Sequence, residues 1–231
     1  MSKPIIVFDL DGTLVDTAPD LLDSLNHTLD SGGAARTDVA GFRQFVGHGG
    51  RVMIERAYQA QRRVLPVDEH ERLLALFLEH YGANIPGRSS PYPGVVETLD
   101  RFRAADYLLA VCTNKTEEFS KRLLVSLGLS GYFEAICGQD TFDVRKPHPR
   151  HLTETIKLAN GNVEMAVMVG DSRTDIDTAK AAGIPVVAVD FGYTDRHVRE
   201  FDPSKVISHF DELTIGMAEG LIAAAAGLPR S

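Results

Sequence analysis

The chain has 231 residues, of which 44% are hydrophobic and 24% charged, which is typical of a folded globular protein and excludes a disordered one. Its formal net charge is −8, from 24 Lys and Arg against 32 Asp and Glu, and this acidity disfavours non-specific binding to nucleic acid. No apolar run approaches the ~20 residues that a membrane-spanning helix needs, so a membrane protein is not expected.

The cysteines and the first residues favour the cytoplasm. Cys112 and Cys137 form no CxxC pattern, which predicts free thiols in a reducing compartment. The apolar run after Lys3 is interrupted at once by Asp9 and Asp11, so no signal peptide is expected. We therefore expect a cytoplasmic protein, either a monomer or a homodimer.

The first predicted element is a strand over residues 4–8. This run is rich in β-branched residues and lacks polar alternation, which indicates a strand covered on both faces of a parallel sheet. Asp9 and Asp11 follow where the strand ends, at the sheet edge where ligands bind in open α/β folds. Acids this close need a reason: a shared divalent cation, or separate roles as nucleophile and proton donor. Gly12 would let the backbone turn and offer its N–H to an anion. The alternative is a plain turn in which an Asp caps a helix.

The next segment, from 19 to about 87, has a different pattern. Apolar residues recur at helical spacing, and no convincing strand is present. The segment ends in a Pro/Gly/Ser-rich stretch at 85–91 that is typical of a linker. We predict a small all-helical domain at 18–87, inserted after the first strand, and a second domain formed by 1–17 and 88–231.

Strands and helices alternate from about residue 93 to residue 190. Apolar runs predict buried strands at 107–112, 134–137, 165–169 and 185–189. Helical patterns lie between or beside them at 95–104, 117–127, 150–159 and 174–182. This order predicts parallel βαβ units in a doubly wound α/β sheet, a Rossmann-like core.

Polar residues suited to phosphate or metal binding stand near the ends of three of these strands. Thr113 and Asn114 can donate hydrogen bonds to phosphate oxygens, or they can cap the next helix. Lys146, stiffened by neighbouring proline, suits a phosphate contact, or it is a solvated loop lysine. Asp171 and Asp175 share a face if a helix begins there, or they stabilise its N-terminus. The alternative interpretations, in which these residues only cap helices or face solvent, would all have to be correct at once. Carboxylate ligands indicate a hard cation such as Mg²⁺ rather than zinc.

Taken together, these motifs resemble those of the haloacid dehalogenase-like phosphohydrolases, in the same order and over essentially the whole chain. The motifs are Asp9-Leu10-Asp11-Gly12-Thr13, Thr113-Asn114, Lys146-Pro147, and Gly170-Asp171-Ser172 with Asp175.

The resemblance implies a role for each of these residues. Asp9 would be the nucleophile that forms an aspartyl-phosphate, and Asp11 the general acid and base. Mg²⁺ would be held by Asp9, the Asp11 backbone carbonyl and Asp171, with support from Asp175. The phosphoryl group would be bound by Gly12, Thr113, Asn114 and Lys146. The helical insert matches the position of a cap that closes over the site.

Closer features resemble the phosphoglycolate phosphatase branch of this family. They are Pro19-Asp20-Leu21, Phe45-Val46-Gly47-His48-Gly49, Lys146-Pro147-His148-Pro149 and the segment 188–194. This branch usually has Gly-Asn-Gly where this chain has His48 between two glycines. The likeness implies 2-phosphoglycolate as the substrate, whose carboxylate needs a binding group of its own. We predict His48, Gly49 and Arg51 of the cap as that group.

Other functions are also compatible with these motifs. The substrate could be another small phosphorylated metabolite, such as pyrophosphate, a nucleotide or a sugar phosphate. A β-phosphoglucomutase-like phosphomutase shares the core but tends to carry His and Lys early in the cap, and residues 19–25 contain neither. A receiver-like phospho-acceptor is the non-enzymatic alternative, and it leaves the cap without a purpose.

Overall fold

A computed structural model describes residues 3–42, 49–194 and 196–227 of the chain. The strands of this part are β1 (Lys3–Phe8), β2 (Val15–Asp16), β3 (Ser90–Pro91), β4 (Leu108–Cys112), β5 (Ala135–Cys137), β6 (Gly161–Gly170), β7 (Val186–Val189) and β8 (Lys205–Ile207). The α-helices are α1 (Ala18–Ser31), α2 (Val39–Phe42), α3 (Gly50–Ala60), α4 (Glu69–Asn84), α5 (Val95–Ala104), α6 (Glu117–Ser126), α7 (Pro149–Leu158), α8 (Arg173–Ala181) and α9 (Ile215–Ala225).

Within the described residues, six strands form a parallel sheet in the order β5-β4-β1-β6-β7-β8. The central strand β1 pairs with β4 on one side and with β6 on the other. Helices cover both faces, because strand–helix–strand units return the chain to the same sheet edge. The predicted doubly wound α/β core is confirmed.

Both faces of β1 are buried, as its unbroken apolar run predicts. Ile6 and Phe8 belong to the apolar cluster on one face of the sheet, whereas Ile5 and Val7 belong to the cluster on the other. All four side chains are completely buried. This double burial removes any polar alternation and holds the end of β1 firmly in the middle of the sheet.

Three features of the strands differ from the predicted ones. Strand β6 begins at Gly161, earlier than expected, because its first residues are only half-buried. Strand β8 was not predicted, since it has three residues and begins at the exposed Lys205. The short pair β2 and β3 was also missed, and its second strand lies in the stretch expected to be a linker.

Helices α1 to α4 make up the described part of the insert, and no strand occurs between residues 18 and 87 of that part. They pack around an apolar cluster separate from those of the sheet, with Leu25, Ile54 and Phe77 among its buried members. The bounds 18–87 for a separate domain stay a prediction. Among the described residues, no helix combines the length and apolar character needed to cross a membrane.

The chain enters and leaves the insert through two adjacent connections. Val15 and Asp16 of β2 pair antiparallel with Pro91 and Ser90 of β3. The buried carboxylate of Asp20 reinforces this junction, because it accepts hydrogen bonds from the backbone N–H groups of Arg88 and Ser89 at 2.8–3.0 Å. The entry and exit of the insert are therefore fastened to each other.

Candidate active site

The polar residues expected at the sheet edge do meet there. Asp9 continues β1 by donating its N–H to the Val169 carbonyl of β6, 2.9 Å away. Thr113 follows β4 and donates its N–H to the Cys137 carbonyl of β5 at 3.0 Å. Asp171 follows β6 directly. The parallel register therefore brings residues more than a hundred positions apart to one edge.

A cluster of three buried carboxylates lies at the centre of this edge. Asp9, Asp171 and Asp175 each place one oxygen within 4.8 Å of the others, and none is more than 7% exposed. Burial, together with the charge of Asp175, raises the pKa of Asp9 from 3.8 to about 6. Burial and the neighbouring acids also raise the pKa of Asp171. Such a cluster of hard oxygen donors is suited to a divalent cation.

Lys146 supplies positive charge beside this cluster. Its ammonium lies 2.9 Å from Oδ1 of Asp9 and 2.6 Å from Oδ1 of Asp175, and its side chain is 1% exposed. Burial alone would lower the pKa of Lys146, but the two carboxylates outweigh it and raise that pKa. One amide hydrogen of Asn114 holds the Lys146 backbone by donating to its carbonyl at 3.2 Å.

Asp175 caps a helix and also contacts the lysine of the site. Its carboxylate forms a capping box with Ser172 at the N-terminus of α8, accepting from the Ser172 N–H at 3.1 Å and hydroxyl at 2.6 Å. Its other oxygen accepts from Lys146. The helix cap therefore fixes the carboxylate that orients the lysine.

Gly12 is required by close packing, but its expected phosphate contact is corrected by the structure. Its φ is +82°, and a side chain there would come within 2.5 Å of Oδ2 of Asp171. Its N–H donates to the Val15 carbonyl at 2.9 Å, so the turn itself uses the group that was expected to bind phosphate.

Asp11 is not part of the three-acid cluster and has other partners. Oδ1 accepts from the Thr17 hydroxyl at 2.7 Å, and the ammonium of Lys115 lies 2.8 and 3.0 Å from the two carboxylate oxygens. Lys115 is buried, and it also lies 4.4 Å from the centre of the Tyr81 ring in α4. Sequence reasoning missed this lysine as a site residue. Its position directly after Thr113-Asn114 was the available signal.

A pocket lies between the sheet edge and the insert. Its polar side is formed by Asp9, Asp11, residues 113–116 and Gln139. Its opposite side is mainly apolar and comes from the insert and α6: Leu21, Gly49, Gly50, Met53, Phe77, Leu78, Tyr81 and Phe119. A small polar molecule in this pocket would contact both parts of the structure.

The three residues predicted to bind the substrate carboxylate have different outcomes. Gly49 lines the pocket, where its φ of +87° requires glycine. Arg51 does not line the pocket; its guanidinium pairs with Glu71 at 2.7 Å, and both side chains are exposed. His48 lies outside the described residues.

The family model of the haloacid dehalogenase-like hydrolases matches residues 6–189. The chain belongs to this family. The matched segment contains all the motif residues of the sheet edge together with the helical insert, so the assignment from sequence is confirmed.

This hydrolase is similar to several known proteins over nearly their full lengths. It is 71% identical to a phosphoglycolate phosphatase of Mesorhizobium japonicum, with 97% of this chain and 99% of the relative covered. It is 48% identical to a phosphoglycolate phosphatase of Agrobacterium fabrum, with 95% and 94% covered. A predicted phosphoglycolate phosphatase from Haemophilus somnus has a similar crystal structure, with a TM-score of 0.85, 30% identity, and coverage of 92% and 97%.

Proposed function

We propose that this hydrolase cleaves 2-phosphoglycolate to glycolate and phosphate, through a covalent acyl phosphate (aspartyl-phosphate) formed on the Asp9 carboxylate. The observation that carries this proposal is the position of Asp9: buried at the end of the central strand, beside Lys146, and open to the pocket. The names of the relatives support the choice of substrate.

The first half of the proposed reaction transfers the phosphoryl group to the enzyme. An oxygen of Asp9 attacks phosphorus, and the bond from phosphorus to the glycolate oxygen breaks. Asp11 gives a proton to that leaving oxygen. Lys146 offsets the repulsion between the Asp9 carboxylate and the phosphate dianion, and the Thr113 hydroxyl would donate to a phosphoryl oxygen.

The second half returns the enzyme to its starting state. Asp11, now ionised, takes a proton from a water molecule that attacks phosphorus. The bond between phosphorus and the Asp9 oxygen breaks, and inorganic phosphate leaves. Once Asp11 is ionised, the Lys115 ammonium, 2.8 and 3.0 Å from its two oxygens in the structure, holds the carboxylate at the pocket for the second step.

The acid cluster supports Mg²⁺ as the cofactor. Asp9 and Asp171 would hold the ion directly, together with the Asp11 backbone carbonyl, and Asp175 would support the site through Lys146. Oδ1 of Asp171 accepts from the Thr13 hydroxyl at 3.0 Å and Oδ2 from the Tyr193 N–H at 2.6 Å, which orients this carboxylate. When bound, the ion supplies positive charge that stabilises the transferring phosphoryl group.

A substrate panel tests the proposal. The purified protein is assayed with 2-phosphoglycolate, pyrophosphate, a nucleoside monophosphate, β-glucose 1-phosphate, glucose 6-phosphate and ethyl phosphate, with Mg²⁺ or with EDTA. We expect the highest kcat/KM for 2-phosphoglycolate and no turnover in EDTA. A higher kcat/KM for another member of the panel would reject this substrate, and full activity in EDTA would reject the cofactor.

The location and the partner are part of the same proposal. Both cysteines are free and buried, which is compatible with a reducing cytoplasm. The partner is a small phosphorylated metabolite, because the described lining of the pocket brings Lys115, Thr113 and Asn114 together with Asp9.

A further inference from the structure

The carboxylate of 2-phosphoglycolate has to be bound away from the phosphoryl centre. Lys146 pairs with Asp9 and Asp175 at the phosphoryl centre, and it is not among the described residues that line the pocket. Among the described lining residues of the pocket, Lys115 is the cation. It contacts both Asp11 of the sheet edge and Tyr81 of the insert.

The same pocket contains unsatisfied polar atoms. The Tyr81 hydroxyl, Oδ1 of Asn114 and the Thr116 hydroxyl are buried and have no hydrogen-bond partner among the described residues. All three residues line the pocket. An unpartnered buried polar group costs about 1–3 kcal/mol, so three around one pocket indicate a ligand that satisfies them.

The chemistry of these atoms identifies the kind of ligand. The Tyr81 and Thr116 hydroxyls can donate hydrogen bonds, and so can the Lys115 ammonium, which has three donors. The Lys115 ammonium lies 2.8 and 3.0 Å from the two Asp11 oxygens and 4.4 Å from the centre of the Tyr81 ring, so its charge also lies beside Tyr81. Three donors that include a cation are suited to an anion with two oxygens. Oδ1 of Asn114 can only accept and is therefore not part of this set.

We propose that Lys115, Thr116 and Tyr81 form the subsite that binds the substrate carboxylate. Lys115 and Thr116 belong to the sheet edge, whereas Tyr81 belongs to α4 of the insert. A carboxylate held by all three therefore connects the two parts of the structure over the reacting phosphate. This proposal rests on the proposed function, and it assigns the role predicted for Arg51 to Lys115.

The decisive variants remove one hydroxyl each and leave Asp11 untouched. Tyr81→Phe and Thr116→Val should each lower kcat/KM for 2-phosphoglycolate at least ~10-fold, which corresponds to about 1.4 kcal/mol. Ethyl phosphate has a methyl group where the substrate has its carboxylate, so its kcat/KM should fall less than ~3-fold. Thr116→Ser keeps the hydroxyl and should retain the wild-type preference. Lys115→Met is less informative, because it also frees Asp11.

Stability gives an independent readout. Because neither hydroxyl has a partner in the described structure, Tyr81→Phe and Thr116→Val should leave the free energy of unfolding unchanged or higher. Tyr132→Phe and Thr153→Val are matched controls, since both hydroxyls lie outside the pocket. Neither control should change kcat/KM for either substrate.

The outcomes separate this subsite from the proposed function. If the wild type strongly prefers 2-phosphoglycolate to ethyl phosphate but both variants keep that preference, the subsite is rejected and the function stands. Equal losses on both substrates also reject the subsite. If the wild type has no preference for 2-phosphoglycolate, both proposals fail.

Discussion

The backbone N–H of Tyr193 donates a hydrogen bond to Oδ2 of Asp171, 2.6 Å away. The hydroxyl of the same tyrosine donates to Oδ1 of Asp16 and accepts from the N–H of Ala18 at 2.9 Å. Gly192 permits this approach, because a side chain there would come within 2.2 Å of Cβ of Asp171. One tyrosine therefore contacts both the acid cluster and the start of the insert.

Replacing Tyr193 by Phe should weaken this connection while keeping the backbone contact to Asp171. We expect a loss of about 1–2 kcal/mol in the free energy of unfolding, because Ala18 and Asp16 lose a buried partner. The kcat/KM should fall about 3- to 10-fold as the insert becomes less well placed. Urea titration and steady-state rates measure both effects. A variant with wild-type stability and rate would contradict this role of the hydroxyl.

The Asp20 junction gives a second prediction with a matched control. Asp20→Asn should lower the free energy of unfolding by about 2–4 kcal/mol, because three donors from Arg88 and Ser89 lose a charged acceptor. Asp23→Asn removes an exposed ion pair to the side chain of the same Arg88 and should cost less than about 1 kcal/mol. Urea titration measures the free energy of unfolding of both variants. Equal losses would contradict the role of Asp20 in stabilising the junction.

Asp9→Asn separates activity from stability. We expect kcat to fall at least ~10³-fold, because an amide is a poor nucleophile. In EDTA at pH 7.5, the free energy of unfolding should be maintained or should rise by up to about 3 kcal/mol, since ionised Asp9 is destabilised by burial and by Asp175. Added Mg²⁺ should raise the Tm of the wild type more than that of the variant. Retention of more than a few per cent of activity would exclude Asp9 as the nucleophile.

His151 predicts a pH dependence of stability. Burial, with a contribution from nearby Lys146, lowers the pKa of His151 from 6.5 to about 4. Its Nε2 lies 3.0 Å from the Gly138 carbonyl, and its Nδ1 lies 3.6 Å from Sγ of Cys112. These contacts indicate the neutral tautomer of the ring, whose N–H is on Nε2 and donates to that carbonyl. Below pH 6.5 the unfolded chain takes up a proton that the folded chain does not. The stabilising effect of the neutral ring is therefore lost as the pH falls from about 6.5 to 4, by up to about 3 kcal/mol.

The comparison variant for this effect is His151→Gln, which keeps a donor for the Gly138 carbonyl but does not titrate. Free energies of unfolding are measured by urea titration between pH 7.5 and pH 4.5. The wild type should lose more stability than the variant over this range. Parallel curves for the two proteins would show that His151 does not titrate differently on folding.

The residues that meet at the sheet edge could be predicted because two local signals coincide in the chain. An unbroken apolar run identifies a buried parallel strand, and a polar residue after such a run must lie at the carboxyl edge. Asp9, Thr113 and Asp171 each satisfy both conditions, and they do converge there. Their catalytic and metal-binding roles stay predictions.

Lys115 and Tyr193 show why the rest could not be predicted. Lys115 follows a recognisable motif, but its partner Asp11 is 104 positions away, and nothing periodic in the sequence pairs them. Tyr193 reaches Asp16 across 177 positions by the same kind of contact. Strands of two or three residues, such as β2 and β8, carry too few side chains to show a pattern.

The central position of β1 also has a consequence for the synthesis of the chain. Ile5 lies opposite Leu108 on one side and opposite Ala166 on the other, so both neighbouring strands are translated long after it. The helices of the insert contact mainly one another and can assemble earlier on the ribosome. The apolar segment that precedes Asp9 thus waits roughly 10 to 30 seconds for its second neighbour, and during that time at least one of its edges is unpaired and can aggregate.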